Sequence, residues 1–110
     1  MMRRGEIWRV ELSDAKGHEQ RGERPALVMG SANGLVVVVP LTTTIATLRF
    51  SHTYSITPTS HNGLDRESVA LAFQIVALDR DRFIRKIGNI EESQWQAIAA
   101  LIKDLLQMDE

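Results

Sequence analysis

Arg24-Pro25-Ala26-Leu27-Val28-Met29-Gly30-Ser31-Ala32-Asn33-Gly34-Leu35-Val36-Val37-Val38-Val39-Pro40-Leu41-Thr42 is the stretch on which the fold turns. Pro25 fixes its own φ and pushes Arg24 toward an extended backbone. Ala26–Met29 then reads as a short apolar strand, and Ser31-Ala32-Asn33-Gly34 as a turn of the Asn-Gly type that favours a hairpin. Leu35–Val39 is largely β-branched and does not alternate, the pattern of a strand covered on both faces. Pro40, which lacks an N–H, is expected to close it.

Working outward, residues 6–12 alternate polar and apolar as a half-buried strand does, with Ile7-Trp8 as the one break. Residues 13–24 are charged, carry no periodicity and read as a long polar loop. On the far side, Phe50–Thr57 alternates loosely and reads as a strand, and Pro58–Asp65 as a loop. Ser68–Leu78 is apolar apart from Gln74, Asp79–Phe83 has the spacing of one helical turn, and Ile84–Ile87 is a short strand ended by Gly88-Asn89. The period then changes. Trp95, Ile98, Ala99, Ile102, Leu105 and Leu106 make a single stripe on a helix of about 16 residues. Glu91 and Glu92 lie at its N-terminal end, where carboxylates favour the dipole. No helix separates the early strands, which excludes parallel βαβ winding. The expected fold is mainly β: a small, strongly bent sheet or barrel of five to seven strands with a C-terminal amphipathic helix packed on it.

The chain has 110 residues, the size of one domain spanning 1–110, with 44% hydrophobic and 25% charged residues. Cysteine is absent, which removes a disulfide framework, a thiolate zinc site and a cysteine nucleophile together. The longest apolar run, Leu35–Leu41, is far short of the roughly 20 residues that span a bilayer. Arg3 and Arg4 are not followed by the apolar stretch of a signal peptide, so a cytoplasmic protein with no membrane association is expected. Net charge is −1, but it is unevenly spread. Residues 91–110 hold five acidic side chains against Lys103, a net of −4, which leaves the rest at +3. A surface for a polyanion would therefore lie on the body.

His18, His52 and His61 have no pair at the i, i+4 spacing of a helical metal site, and no Gly-rich phosphate loop is present. Neither a metal nor another cofactor is expected. The densest polar stretch is Gly17-His18-Glu19-Gln20-Arg21-Gly22-Glu23-Arg24-Pro25. It is longer than an ordinary hairpin connection and ends in an arginine held next to a rigid strand, a good position for a pre-oriented cation. Thr42, emerging from the end of a buried strand, is a second candidate, although a threonine there also commonly caps a turn. Phe73 reads as a core aromatic, with base stacking beside Gln74 as its functional alternative.

Arg4-Gly5-Glu6-Ile7-Trp8, Gly17-His18-Glu19-Gln20, Arg24-Pro25-Ala26-Leu27-Val28 and Val38-Val39-Pro40-Leu41-Thr42 stand in the order and spacing of the MazF/PemK/Kid family, which the chain resembles over nearly its whole length. These are endoribonuclease toxins of type II toxin–antitoxin pairs. The resemblance implies an SH3-like (CcdB/MazF-like) barrel, a homodimer and a MazE/PemI-like antitoxin partner. It also implies metal-independent, sequence-specific cleavage of single-stranded RNA, leaving 2′,3′-cyclic phosphate and 5′-hydroxyl ends. The family's catalytic arginine falls on Arg24 and its threonine on Thr42, and His18 matches the acid–base histidine of the Kid branch. Glu19, Gln20, Arg21, Thr43 and Gln74 would contact substrate. Such chemistry needs no cysteine, since the RNA 2′-hydroxyl is the nucleophile. The later strand departs from the family: Leu71, Phe73 and Val76 replace residues that are usually polar or charged, leaving His18 without its Kid-type partners. The alternative is a catalytically weak member, or a CcdB-like toxin that binds DNA gyrase without cleaving RNA.

Overall fold

A computed structural model describes residues 2–12 and 22–108. The hairpin forms as its sequence indicates. Strand β2 (Glu23–Ala32) and strand β3 (Leu35–Thr42) pair antiparallel across the two-residue turn Asn33-Gly34. Both turn residues have positive φ, 56° and 84°, the backbone that a two-residue turn of type I′ requires and that Asn-Gly adopts readily. A bulge at Met29 shifts the register between Val28 and Gly30.

Pro40 does not end the strand, which runs on to Thr42. It marks a break in the partner instead. Beyond β3 lie β5 (Ser68–Leu71), opposite Leu41 and Thr42, and β6 (Val76–Asp79), opposite Leu35–Val38. Leu41 faces Ala70 and Val38 faces Val76, so three steps along β3 correspond to six along its partner. The three extra residues are taken up by the 3₁₀ turn Ala72–Gln74, beside the one residue of β3 with no N–H to offer a ladder. The apolar stretch Ser68–Leu78 is thereby divided between two strands.

Strand β1 (Glu6–Glu11) pairs with β2 and with β7 (Phe83–Asn89), and β4 (Thr53–Ile56) pairs with β5. The strand order is β4-β5-β3-β2-β1-β7, with β6 also on β3. The sheet is open, which corrects the expected SH3-like barrel. Its end strands, β4 and β7, do not pair. The loop after β4 comes between them: Asn89 donates its N–H to the His61 carbonyl (2.8 Å). A Cβ on Gly88 would collide with His61 O and the Asn62 backbone, and one on Gly63 (φ +69°) with Ile87. Loop backbone thus occupies the space a closing strand pair would need.

The central strands bury both faces, as a non-alternating run requires. Leu27, Val39 and Leu41 face a core shared with Ile7, Ile56 and Ile98, whereas Ala26, Val28, Val36 and Val38 face a second cluster with Val10, Leu12 and Leu78. The first face is covered by helix α1 (Glu92–Leu105), which buries Ile98 and half-buries Trp95, Leu101 and Ile102. Trp95 Nε1 donates to the Val28 carbonyl (3.2 Å). No helix among the described residues is long and apolar enough to cross a membrane.

Candidate active site at the open end of the hairpin

Away from the turn, the hairpin ends in Arg24 on β2 and Thr42 on β3. The last registered pair is Ala26 opposite Pro40, and each candidate lies two residues beyond it, so both project to one face at the sheet's end. Arg24 is half-buried and sits opposite Val10 of β1. Thr42 is only 5% exposed, and its Oγ1 accepts the Thr44 N–H (3.2 Å). A hydroxyl that accepts in this way keeps its hydrogen to donate.

An open cleft of about 190 Å³ adjoins Arg24 and is lined also by Arg9, Glu23, Pro25, Thr43, Leu64, Asp65, Arg66 and Ser68; Thr42 is not part of the lining. That volume is below the roughly 300–1,000 Å³ of pockets that engulf a small molecule, and it suits a groove holding part of a polymer. Three arginines converge on it from three segments, against two carboxylates. Glu23 Oε1 is 3.3 Å from Arg9 Nε, which orders both side chains without cancelling the cleft's positive excess. Arginine stays charged at any physiological pH, and its planar fork matches a phosphate.

Arg66 lines the cleft from the end of a loop that a buried amide ties together. Asn62 is 2% exposed. Its Oδ1 accepts the N–H groups of Thr59 and Leu64 (both 3.0 Å), and its Nδ2 donates to the Thr57 carbonyl (2.9 Å). A buried amide satisfied in this way fixes the loop between its partners. Sequence reasoning missed Arg9 and Arg66. Each is an ordinary surface cation by pattern, and only the folded chain places both on the cleft that Arg24 lines.

The structure groups Thr43 with Arg24 but sets Gln74 elsewhere, half-buried in the 3₁₀ turn on the far side of β5. His18, Glu19, Gln20 and Arg21 lie outside the described residues. Phe73 is not in the core. The strand ends at Leu71, which is fully buried, and the turn carries Phe73 outward to 36% exposure, edge-on to Phe50 at 6.0 Å. His52 Nε2 lies 2.8 Å from Asp104 Oδ2, the hydrogen-bonded state expected of a structural histidine. Among the described residues no group of three His, Asp or Glu side chains is placed to hold a metal ion.

The N-terminal motif serves the fold. Glu6, 8% exposed, accepts from Trp8 Nε1 (2.8 Å) and the Arg3 N–H (3.2 Å) and lies 3.4 Å from Lys86 Nζ. Burial pushes its pKa up, but these donors and the ammonium together outweigh it and hold the carboxyl below its ordinary value. Arg4 lies 4.1 Å over the Trp95 ring and pairs with Glu92 (2.9 Å), tying β1 to α1.

An open sheet capped by one helix, with an arginine-lined groove at the end of its central hairpin, defines a small polyanion-binding protein. Residues 3–106 match the family model of PemK-like, MazF-like toxins of type II toxin–antitoxin systems, and the chain belongs to that family. It is 34% identical over 114 aligned positions to endoribonuclease MazF9 of Mycobacterium tuberculosis, with 94% of each chain covered. Among solved structures it resembles MazF from Deinococcus radiodurans (26% identity, 96% of each chain, TM-score 0.75). A mycobacterial endoribonuclease in complex with its cognate antitoxin shares the fold (23% identity, 97% of this chain and 96% of that one, TM-score 0.72).

Proposed function

We propose that this toxin cleaves single-stranded RNA at specific sequences, as an endoribonuclease working at the open end of the β2–β3 hairpin. The observation that supports the reading, beyond family membership, is that Arg9, Arg24 and Arg66 line one cleft together with Thr43, the residue after Thr42. The RNA supplies its own nucleophile. Its 2′-hydroxyl attacks the adjacent phosphorus, the bond to the 5′-oxygen of the next nucleotide breaks, and the products carry a 2′,3′-cyclic phosphate and a 5′-hydroxyl. The protein must stabilise the extra negative charge of the crowded phosphorane and serve the two proton transfers. Arg24 supplies the charge. A guanidinium stays protonated at any physiological pH and is a poor base, so electrostatic stabilisation is its role. Thr42 and Thr43 donate hydrogen bonds to non-bridging oxygens. His18 is the candidate acid–base group, since an imidazole is the side chain that titrates nearest neutrality; in that role its replacement by Ala removes one limb of the pH–rate profile. Glu19, Gln20, Arg21 and Gln74 are the candidate base-reading contacts.

The active unit is a homodimer in the cytoplasm, whose two clefts together hold an extended RNA. A MazE/PemI-like antitoxin holds the toxin in check until it is lost, after which mRNA cleavage stops translation and growth. Family membership as the toxin half of a pair supports this part of the reading. The test is incubation of a long single-stranded transcript with the protein in EDTA, with the new ends analysed. Discrete fragments with 5′-hydroxyl and cyclic-phosphate ends are expected. Intact RNA, or fragments with 5′-phosphate ends, would refute the proposal.

A further inference from the structure

The cationic surface does not stop at the cleft. Arg9 lies opposite Pro25 on one side and opposite Arg85 of β7 on the other. Neighbouring strands are about 4.8 Å apart, so the row Arg85–Arg9–Pro25 carries positive charge about 10 Å from the hairpin's end to the edge of the sheet. Directly opposed residues of an antiparallel pair point to the same face, which puts the Arg85 side chain on the face from which Arg9 enters the cleft. Two like charges directly opposed destabilise a sheet. Glu23 pairs with Arg9, whereas no carboxylate among the described residues pairs with Arg85.

A charged edge strand is a common guard against edge-to-edge aggregation, and one lysine would serve. Two arginines in opposed register are more than that purpose needs. The β1–β7 ladder is also bulged on both sides of this pair, with shifts between Ile7 and Trp8 and between Arg9 and Val10. Bulges re-aim side chains and concentrate beside functional sites. Lys86, next to Arg85, lies opposite Trp8 and pairs with Glu6 (3.4 Å), so the charge of this row is carried by Arg85 and Arg9 themselves.

We propose that Arg85, together with Arg9, forms a second phosphate subsite, which holds the RNA backbone beside the cleft and contacts a phosphodiester other than the one cleaved. The proposal rests on the ribonuclease reading above. Arg85 is a positioning residue: it touches the backbone, carries no base information and takes no part in bond breaking.

The test is the salt dependence of kcat/KM for a defined single-stranded transcript, measured for the wild type, Arg85→Gln and Arg85→Lys. Each phosphate contact on a single strand contributes about 0.7 to the log–log salt slope. Arg85→Gln is expected to raise KM, lower the slope by about 0.7 and leave the positions of the cuts unchanged. Between 50 and 200 mM salt the wild type should then lose about 2.6-fold more than Arg85→Gln. Arg85→Lys keeps the charge and should keep the slope, and Lys103→Gln on α1 should behave as wild type. An Arg85→Gln slope equal to wild type would overturn the subsite and leave Arg85 as an edge guard, with the ribonuclease reading intact. A wild-type protein that cleaves no RNA would overturn both.

Discussion

At the entry to β1, Arg4 lies over the Trp95 ring at 4.1 Å and pairs with Glu92 at 2.9 Å. At the entry to β2, Arg24 stands half-buried on the wall of an open cleft with Arg9 and Arg66. Both arginines belong to stretches that resemble the toxin family, and both sit where a strand joins the sheet. The first has its guanidinium used up by the protein's own tryptophan and carboxylate and acts as a staple. The second lines an open cleft that a substrate can enter. A family motif therefore mixes residues that build the frame with residues that face the reaction, and whether the residue lines an open cleft separates them.

The largest expected effect is at the cleft. Arg24→Ala should lower RNA cleavage more than a hundredfold, since losing one preorganised charge donor costs about 2.7–4 kcal/mol of activation energy. Thr42→Ala should cost less, because a neutral donor is weaker than a charged one. Cleavage rates on a single transcript, with folding checked by circular dichroism, measure both.

Next comes the frame around Arg4. Glu6→Gln removes a buried carboxylate held by three donors and should cost about 1–2 kcal/mol, read as a Tm lower by at least about 4 °C for a domain of this size. The same carboxylate predicts a pH dependence. Its folded pKa lies below its ordinary value of 4.5. Its contribution to stability is therefore complete above about pH 4.5 and is lost as pH falls through the lower, folded value. Thermal melts of the wild type should show this acid loss, and Glu6→Gln should show a shallower one.

The smallest effect is expected for Phe73→Leu. A side chain that is 36% exposed on a 3₁₀ turn gives up only its edge contact with Phe50 and part of its buried area. The Tm should move by less than that of Glu6→Gln, and a large drop would place Phe73 back in the core.

The hairpin was legible because its cues are local. Asn33-Gly34 demands positive φ, and the run Val36–Val39 has no polar face to show to water. The helix was legible from its period. The split of residues 68–79 was not, because the 3₁₀ turn falls where β3 changes partner, a matter of register with another strand. The same reason hid the open sheet. Nothing in Asn62-Gly63 or Gly88 announces that the two backbones meet and keep β4 from β7. At the site, Arg24 and Thr42 were reachable through the family resemblance, whereas Arg9, Arg66 and Arg85 depend on register and on a loop fixed by one buried amide.

Arg4→Ala and Arg24→Ala, measured side by side for Tm and for kcat/KM on one single-stranded transcript, test the division of labour most directly. Arg4→Ala should lower Tm by a few degrees and leave kcat/KM within about twofold, as expected for losing an exposed ion pair and a cation–π contact. Arg24→Ala should lower kcat/KM more than about a hundredfold in a protein that still folds. Full activity in a folded Arg24→Ala protein would contradict the account.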